Sequence, residues 1–222
     1  MDAGRAGAGG RRGRIRIRDF VVGNNKGLGP NAAAMDRPWR GDIVRALLRL
    51  SGAIDWCNEK LGFVTNLLVL LAVLISAGNA MSRYAFNLSS NAWLEVQWYM
   101  FAIIVMYGAS YTLRRNEHVR VEIFYLMLSE RAQLWLDLIC TILFLLPICL
   151  LLAYLSWPFF QLSYDTAEVS GNAGGLIRWP IKFVLPSGFV LLALQGISEI
   201  IKRIAAIQGL TQVDAHYERP LQ

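Results

Sequence analysis

The run from Leu61 to Met81, LGFVTNLLVLLAVLISAGNAM, contains no Asp, Glu, Lys or Arg. A helix rises about 1.5 Å per residue, so this run is long enough to cross a hydrocarbon core of about 30 Å. A soluble helix shows one apolar stripe, whereas a run that is apolar all round needs lipid or protein on every side. Three further runs follow. The second span, about 93–113, opens with Trp93, Leu94 and Glu95 and is apolar all round from Met100 to Ala109. The third, about 134–157, is interrupted by Pro147, which removes a backbone donor and predicts a kink. The fourth, about 183–201, has Pro186 in its first turn, where proline is tolerated. The predicted fold is an all-α integral membrane protein with four transmembrane helices at 61–81, 93–113, 134–157 and 183–201.

Composition points the same way. Of 222 residues, 55% are hydrophobic and 17% charged, where a soluble domain carries about a quarter charged. Charge is also unevenly placed, with 12 of the 22 Lys and Arg before residue 61. The net charge of +6 comes with no nucleic-acid recognition motif, and basic flanks of membrane spans explain it. The arm, residues 1–40, is rich in Gly, Ala and Arg, cannot bury a core, and is expected to be disordered. Met35 is a candidate start, testable by N-terminal sequencing. Between Asp42 and Lys60, Ile43, Leu47, Leu50 and Ile54 share a helical face, which predicts an amphipathic interfacial helix before the first span. The competing interpretation is that these residues are the first turns of one long spanning helix.

Orientation follows from the loops. Lys and Arg are abundant in the arm, sparse in the first loop (Arg83), abundant in the second (Arg114, Arg115, Arg120, Arg131) and sparse in the third (Arg178, Lys182). This alternation places both termini in the cytoplasm, including the tail at 206–222. Tyr84, Trp93, Trp98, Trp157 and Trp179 would then mark the outer interface. Val119, Ile123 and Leu126 predict a short interfacial helix in the second loop.

Catalytic chemistry finds no support. His118 and His216, the two histidines, lie outside the spans, so no buried pair of haem ligands exists for a redox-enzyme anchor. No Gly-rich phosphate motif occurs. Cys57, Cys140 and Cys149 form no C-x-x-C pair, which predicts neither a disulfide framework nor a metal site. No catalytic, cofactor or metal residue is assigned. The ionisable groups in or beside the spans are Arg83, Glu95, Asp137 and Glu199. A charge at the bilayer centre costs roughly 2.5 to 3.5 kcal/mol even on the gentler scale. All four lie within a turn or two of a span end, where anchoring or interhelix contacts suffice. Arg83 and Glu95 flank one short loop, so a salt bridge pinning that hairpin is expected; the alternative is that Glu95 faces a second membrane protein. Trp98 and Tyr99 share its helical face.

Trp93, Glu95, the long apolar run, Gly108-Ala109, Arg114-Arg115 and Glu117-His118-Val119-Arg120-Val121-Glu122 together resemble the DctQ-type small permease subunit of tripartite ATP-independent periplasmic (TRAP) transporters. That family commonly has a carboxylate early in its second helix and a Gly-Glu-His-hydrophobic-Arg-Val-Asp pattern after it. Here Asn116 stands for the usual Gly and Glu122 for the Asp. Ser82 to Asn87 also matches, and the resemblance covers about residues 55–205. It implies a non-enzymatic, multi-pass subunit of the bacterial inner membrane. Its partners would be a large permease subunit, a periplasmic solute-binding protein and membrane lipids. The large subunit would hold the solute and sodium sites and carry out ion-gradient-driven uptake of an organic acid, so no cofactor is expected in this chain. Arg83, Trp93, Glu95 and Trp98 would stabilise the outer hairpin or face the large subunit. Arg114, Arg115, His118 and Arg120 would bind lipid phosphates or the partner's cytoplasmic loops. The alternative function is a self-sufficient four-helix proton-coupled exporter using Glu95.

Overall fold

The computed structural model describes residues 38–87, 91–116, 128–172 and 174–208. The helices are α1 (Pro38–Phe86), α2 (Asn91–Arg115), α3 (Glu130–Cys140), a π-helical turn (Thr141–Leu145), α4 (Leu146–Asp165) and α5 (Trp179–Ile207). Among the described residues, the β contact is one isolated antiparallel bridge, Val169 to Ile177. The arm, the 117–127 segment with its expected interfacial helix, and the tail lie outside the described residues.

α1 is one helix of 49 residues, so the amphipathic segment before the first span is not a separate element. Its length is about 73 Å at 1.5 Å per residue, more than twice the thickness of a hydrocarbon core. No helix-ending residue intervenes, because Asp55 and Asn58 find partners on other helices. Ser51, Asp55, Asn58, Gly62 and Thr65 are buried, at alternating spacings of four and three that form a heptad seam. Ile43, Leu47, Leu50, Phe63 and Leu67 are exposed. This inside-out arrangement, polar within and aliphatic without, is what lipid as a solvent selects. Ala72, Ser76 and Ala80, four apart on α1, offer a small-residue face suited to close helix contact, yet Ala72 is half-buried and the other two are exposed. Close approach occurs instead at Gly62, where an added Cβ would lie 2.4 Å from the Tyr111 ring on α2.

α1 ends at Asn87 and α2 at Asn116, both with left-handed backbones (φ 54° and 55°). Asn tolerates this conformation better than other side chains. The Asn116 N–H bonds the Leu113 carbonyl at 3.1 Å. A left-handed cap at this position also explains why Gly would serve there.

α3, the π turn and α4 form one rod. Ser129 caps its start, accepting from the Ala132 N–H at 3.4 Å. Pro147 has no N–H and its ring crowds the carbonyl four residues back; the π turn widens the helix immediately before it. The rod runs on to Asp165, well past Trp157. α5 likewise starts earlier than expected: Pro180 sits in its first turn, and Pro186 is interior and buried. α5 is central, packing against α1, α2 and α4. Its Gly188 meets Met106 of α2, where an added Cβ would lie 2.8 Å from the Met106 Cβ.

Among the described residues, three helices are long and apolar enough to cross a membrane: Ile43–Phe86, Arg131–Asp165 and Trp179–Ile207. α2 has the length, at 25 residues, but its first third carries Trp93, Glu95, Gln97, Trp98 and Tyr99, which dilute its apolarity.

Candidate functional site

Polar side chains gather at two opposite ends of the bundle. At one end, Asp55 of α1 meets α5: its Oδ1 accepts from Gln195 Nε2 at 3.0 Å and from the Ser198 hydroxyl at 2.9 Å. Lys202 Nζ donates to Asp55 Oδ2 at 3.1 Å. Gln195 is fully buried, with 0% exposure, and uses its whole amide. Its second N–H donates to Glu199 Oε1 at 3.0 Å, and its Oε1 accepts from Asn58 Nδ2 at 2.6 Å. Ser110 of α2 donates to Asn58 Oδ1 at 2.8 Å. A buried amide with all its groups paired holds a unique arrangement, because any shift leaves one unpaired at a cost of about 1–3 kcal/mol.

Arg203 extends this node to α3 and to the end of α2. Its Nη1 donates to Glu199 Oε2 at 2.8 Å, and its Nη2 reaches Asn116 Oδ1 at 3.3 Å and Asp137 Oδ2 at 3.4 Å. Asn116 therefore closes α2 and joins it to α5. Lys202 also pairs with Glu199. Arg114 donates to Glu59 Oε2 at 3.2 Å and lies 4.0 Å from Asp55. The spacing on α5 accounts for the assembly: Gln195, Ser198, Glu199, Lys202 and Arg203 recur at intervals of three and four, so they share one side of the helix.

The opposite end is organised by Glu95. It is 5% exposed. Its Oε1 accepts from the Ser170 hydroxyl and from Asn172 Nδ2 at 2.7 Å, and its Oε2 accepts from the Leu176 N–H at 2.9 Å. These donors all belong to the α4–α5 connection. Gly174, at φ 74°, supplies the left-handed position that its turn requires. Tyr99 donates to the Ile177 carbonyl at 3.2 Å. Glu168 of the same connection pairs with Lys182 and lies 3.6 Å from Arg178. The Lys182 ammonium holds its carboxyl below the usual carboxylate range.

The predicted site residues distribute as follows. Glu95 has the α4–α5 connection as its partner, while Arg83 is exposed near the end of α1; the expected Arg83–Glu95 bridge is replaced by hydrogen bonds from Ser170, Asn172 and Leu176, which take both carboxylate oxygens. Trp93 and Trp98 are exposed on α2, Trp98 by 72%; Tyr99, and not Trp98, shares the work of Glu95. Arg114 joins the Asp55 node, and Arg115 stacks over the Tyr111 ring at 5.1 Å. His118 and Arg120 lie outside the described residues. Asp55, Asn58, Gln195 and Arg203 carry the node, yet none was singled out from the sequence. The available signal was the polar heptad from Ser51 to Thr65 beside the polar three-and-four pattern of α5.

Among the described residues no group of His, Cys, Asp and Glu is placed to hold a metal ion. The chemistry of both ends is fastening: carboxylates matched to cations, amides and backbone N–H groups across helices. Between them, an open apolar cleft of about 920 Å³ runs along α2 and the α3–α4 rod, lined by Val105, Gly108, Phe144 and Ile148.

A family model described as "Tripartite ATP-independent periplasmic transporters, DctQ component" matches residues 72–206. No curated protein matches the chain.

Proposed function

Since the chain belongs to the DctQ family, the small inner-membrane component of TRAP transporters, we propose that it acts as the fixed scaffold on which a large permease subunit works. The observation that carries this is the Asp55–Arg203 node, which ties α1, α2, α3 and α5 into one body. A scaffold must resist deformation while its partner moves, and buried, fully paired polar networks supply that rigidity. Four spans, with α2 as the second, and both termini in the cytoplasm make the Asp55 end cytoplasmic and the Glu95 end periplasmic. The basic α1 segment and Arg114-Arg115 then follow the positive-inside rule. The solute-binding protein approaches from the Glu95 end, and the large subunit carries the ion-coupled uptake of an organic acid.

The exporter alternative draws no support from Glu95. That carboxylate is in the first turns of α2 and all its contacts are to a loop, whereas a coupling carboxylate belongs deep in a bundle where it can exchange protons.

The test is deletion of this chain from cells that retain the large subunit and the binding protein. Uptake is expected to stop while the large subunit remains in the membrane. Undiminished uptake without this chain would refute the scaffold role.

A further inference from the structure

The cleft between α2 and the rod is walled by apolar side chains that converge on open space. Val105 of α2 faces it from one side, and Phe144 and Ile148 of the rod from the other; all three are exposed. Its length is set by its lining. On α2 it runs from Ile104 to Leu113 and on the rod from Asp137 to Cys149, which is about 14 Å and about 18 Å at 1.5 Å per residue. Half of a hydrocarbon core of about 30 Å is about 15 Å, so the cleft is one leaflet deep. A spanning helix of a partner needs a groove about twice as long.

Gly108 lies in the α2 wall. Glycine inside a helix is destabilising relative to alanine, so it needs a reason. Its backbone is not left-handed, and an added Cβ would meet nothing within 4 Å, so no neighbour in this chain requires it. What the missing side chain leaves is bare backbone facing the cleft, which allows close approach by a ligand.

One end of the cleft is polar and basic. Arg203 and Asp137 line it there and pair with each other at 3.4 Å, giving polar atoms with little net charge. Tyr111 also lines the cleft, and the exposed Arg115 guanidinium stands over its ring at 5.1 Å. Among the described residues no carboxylate pairs with Arg115, in contrast to Arg114, which has Glu59. Arg131, exposed in the first turn of α3, adds a second cation at this end. Basic pockets between helices on the cytoplasmic side suit anionic headgroups.

We propose that this cleft binds one anionic phospholipid of the inner leaflet, with an acyl chain between Val105 and Ile148 against the backbone at Gly108, and the phosphate beside Arg115. The depth of one leaflet, the bare glycine and the unmatched cation at the mouth select a lipid over a partner helix. The choice of leaflet rests on the proposed topology; binding itself does not.

The full chain, alone and in complex with its large subunit, is purified in mild detergent and stripped of lipid. Dioleoyl phosphatidylglycerol or dioleoyl phosphatidylcholine is then titrated back, and bound lipid is counted by native mass spectrometry. Wild type is expected to bind one phosphatidylglycerol about fivefold more tightly than phosphatidylcholine, the effect of one basic side chain at a headgroup. Arg115→Gln should erase that preference and still bind both lipids. Gly108→Leu fills the cleft and should bind neither, with an unchanged Tm. Gly78→Leu, at a second helical glycine whose added Cβ meets nothing within 4 Å but which lies outside the cleft, should bind as wild type does. If Gly108→Leu does not fold, Val105→Trp fills the cleft from its exposed rim and carries the same expectation. Equal lipid binding by the filled variant and wild type would show lipid bound only around the protein and overturn the site. A preference that survives Arg115→Gln, or none in wild type, would overturn the headgroup assignment. Lipid bound by the chain alone but absent from the complex would make the large subunit the occupant and also overturn the site. Failure of the large subunit to co-purify, with lipid binding intact, would overturn the proposed function and leave this site supported.

Discussion

Arg203 offers the sharpest perturbation of the scaffold. It is 4% exposed and contacts Glu199, Asn116 and Asp137 on three different helices. Arg203→Leu leaves Glu199 and Asp137 without that cation. Breaking a buried pair by removing one partner costs about 3–5 kcal/mol, but Glu199 keeps Lys202 and Gln195, so the lower figure applies. Polar contacts between helices in bilayers average only about 0.6 kcal/mol; the removal of a buried cation from beside two carboxylates, rather than the lost contacts, therefore dominates. At about 2–4 °C per kcal/mol for a chain of this size, a loss of about 3 kcal/mol lowers Tm by about 6–12 °C. The assay is thermal unfolding of purified protein in detergent, followed by tryptophan fluorescence. The triple variant Arg203→Leu/Glu199→Leu/Asp137→Leu removes both carboxylates as well and is expected to recover most of the loss, because replacing a buried ionic group wholesale is often neutral. A single variant within about 1 °C of wild type, or a triple variant worse than the single, would refute the reasoning.

Three further predictions concern other parts of the structure. Gly62→Ala places a Cβ against the Tyr111 ring at 2.4 Å and should destabilise by about 1–3 kcal/mol; the same denaturation assay should show relief when Tyr111→Ala is added. Asn116→Gly keeps the left-handed cap but loses the Arg203 contact, whereas Asn116→Ala loses both, so Tm should fall in the order wild type, Gly, Ala. Glu168 has its pKa lowered in the folded state, so its contribution is present above its ordinary value of 4.5 and is lost as pH falls through the lower folded value. The Tm advantage of wild type over Glu168→Gln should therefore be present at pH 7 and shrink as pH falls below 4.5; an advantage that grows on acidification would contradict the assignment.

Helix existence was legible because apolar runs of about twenty residues have few other fates. The boundaries were not. A scale of apolarity stops at Asp55 and Asn58, although α1 passes through them, because these side chains turn inward to Gln195 and Ser198. The same inversion hid the Asp55 node: one-dimensional reading treats Ile43, Leu47 and Leu50 as the face that packs, when it is the exposed face. Pro147 and Pro186 were visible in sequence, but the rod and α5 continue past them because a π turn and neighbouring helices accommodate the missing donors. Glu95 was found, but its partners lie 75 to 81 residues away, and no periodicity links them. Asn116 shows the reverse: its departure from the family's Gly was legible, and φ of 55° supplies the reason both residues fit.

A fixed scaffold subunit of a TRAP transporter travels with its large permease subunit and moves no solute by itself. Native mass spectrometry of the tagged chain, purified in mild detergent from cells expressing the whole transporter, tests it directly. A particle containing this chain and a large permease subunit is expected. A chain that emerges without that subunit, and moves solute when reconstituted by itself in liposomes, would contradict it.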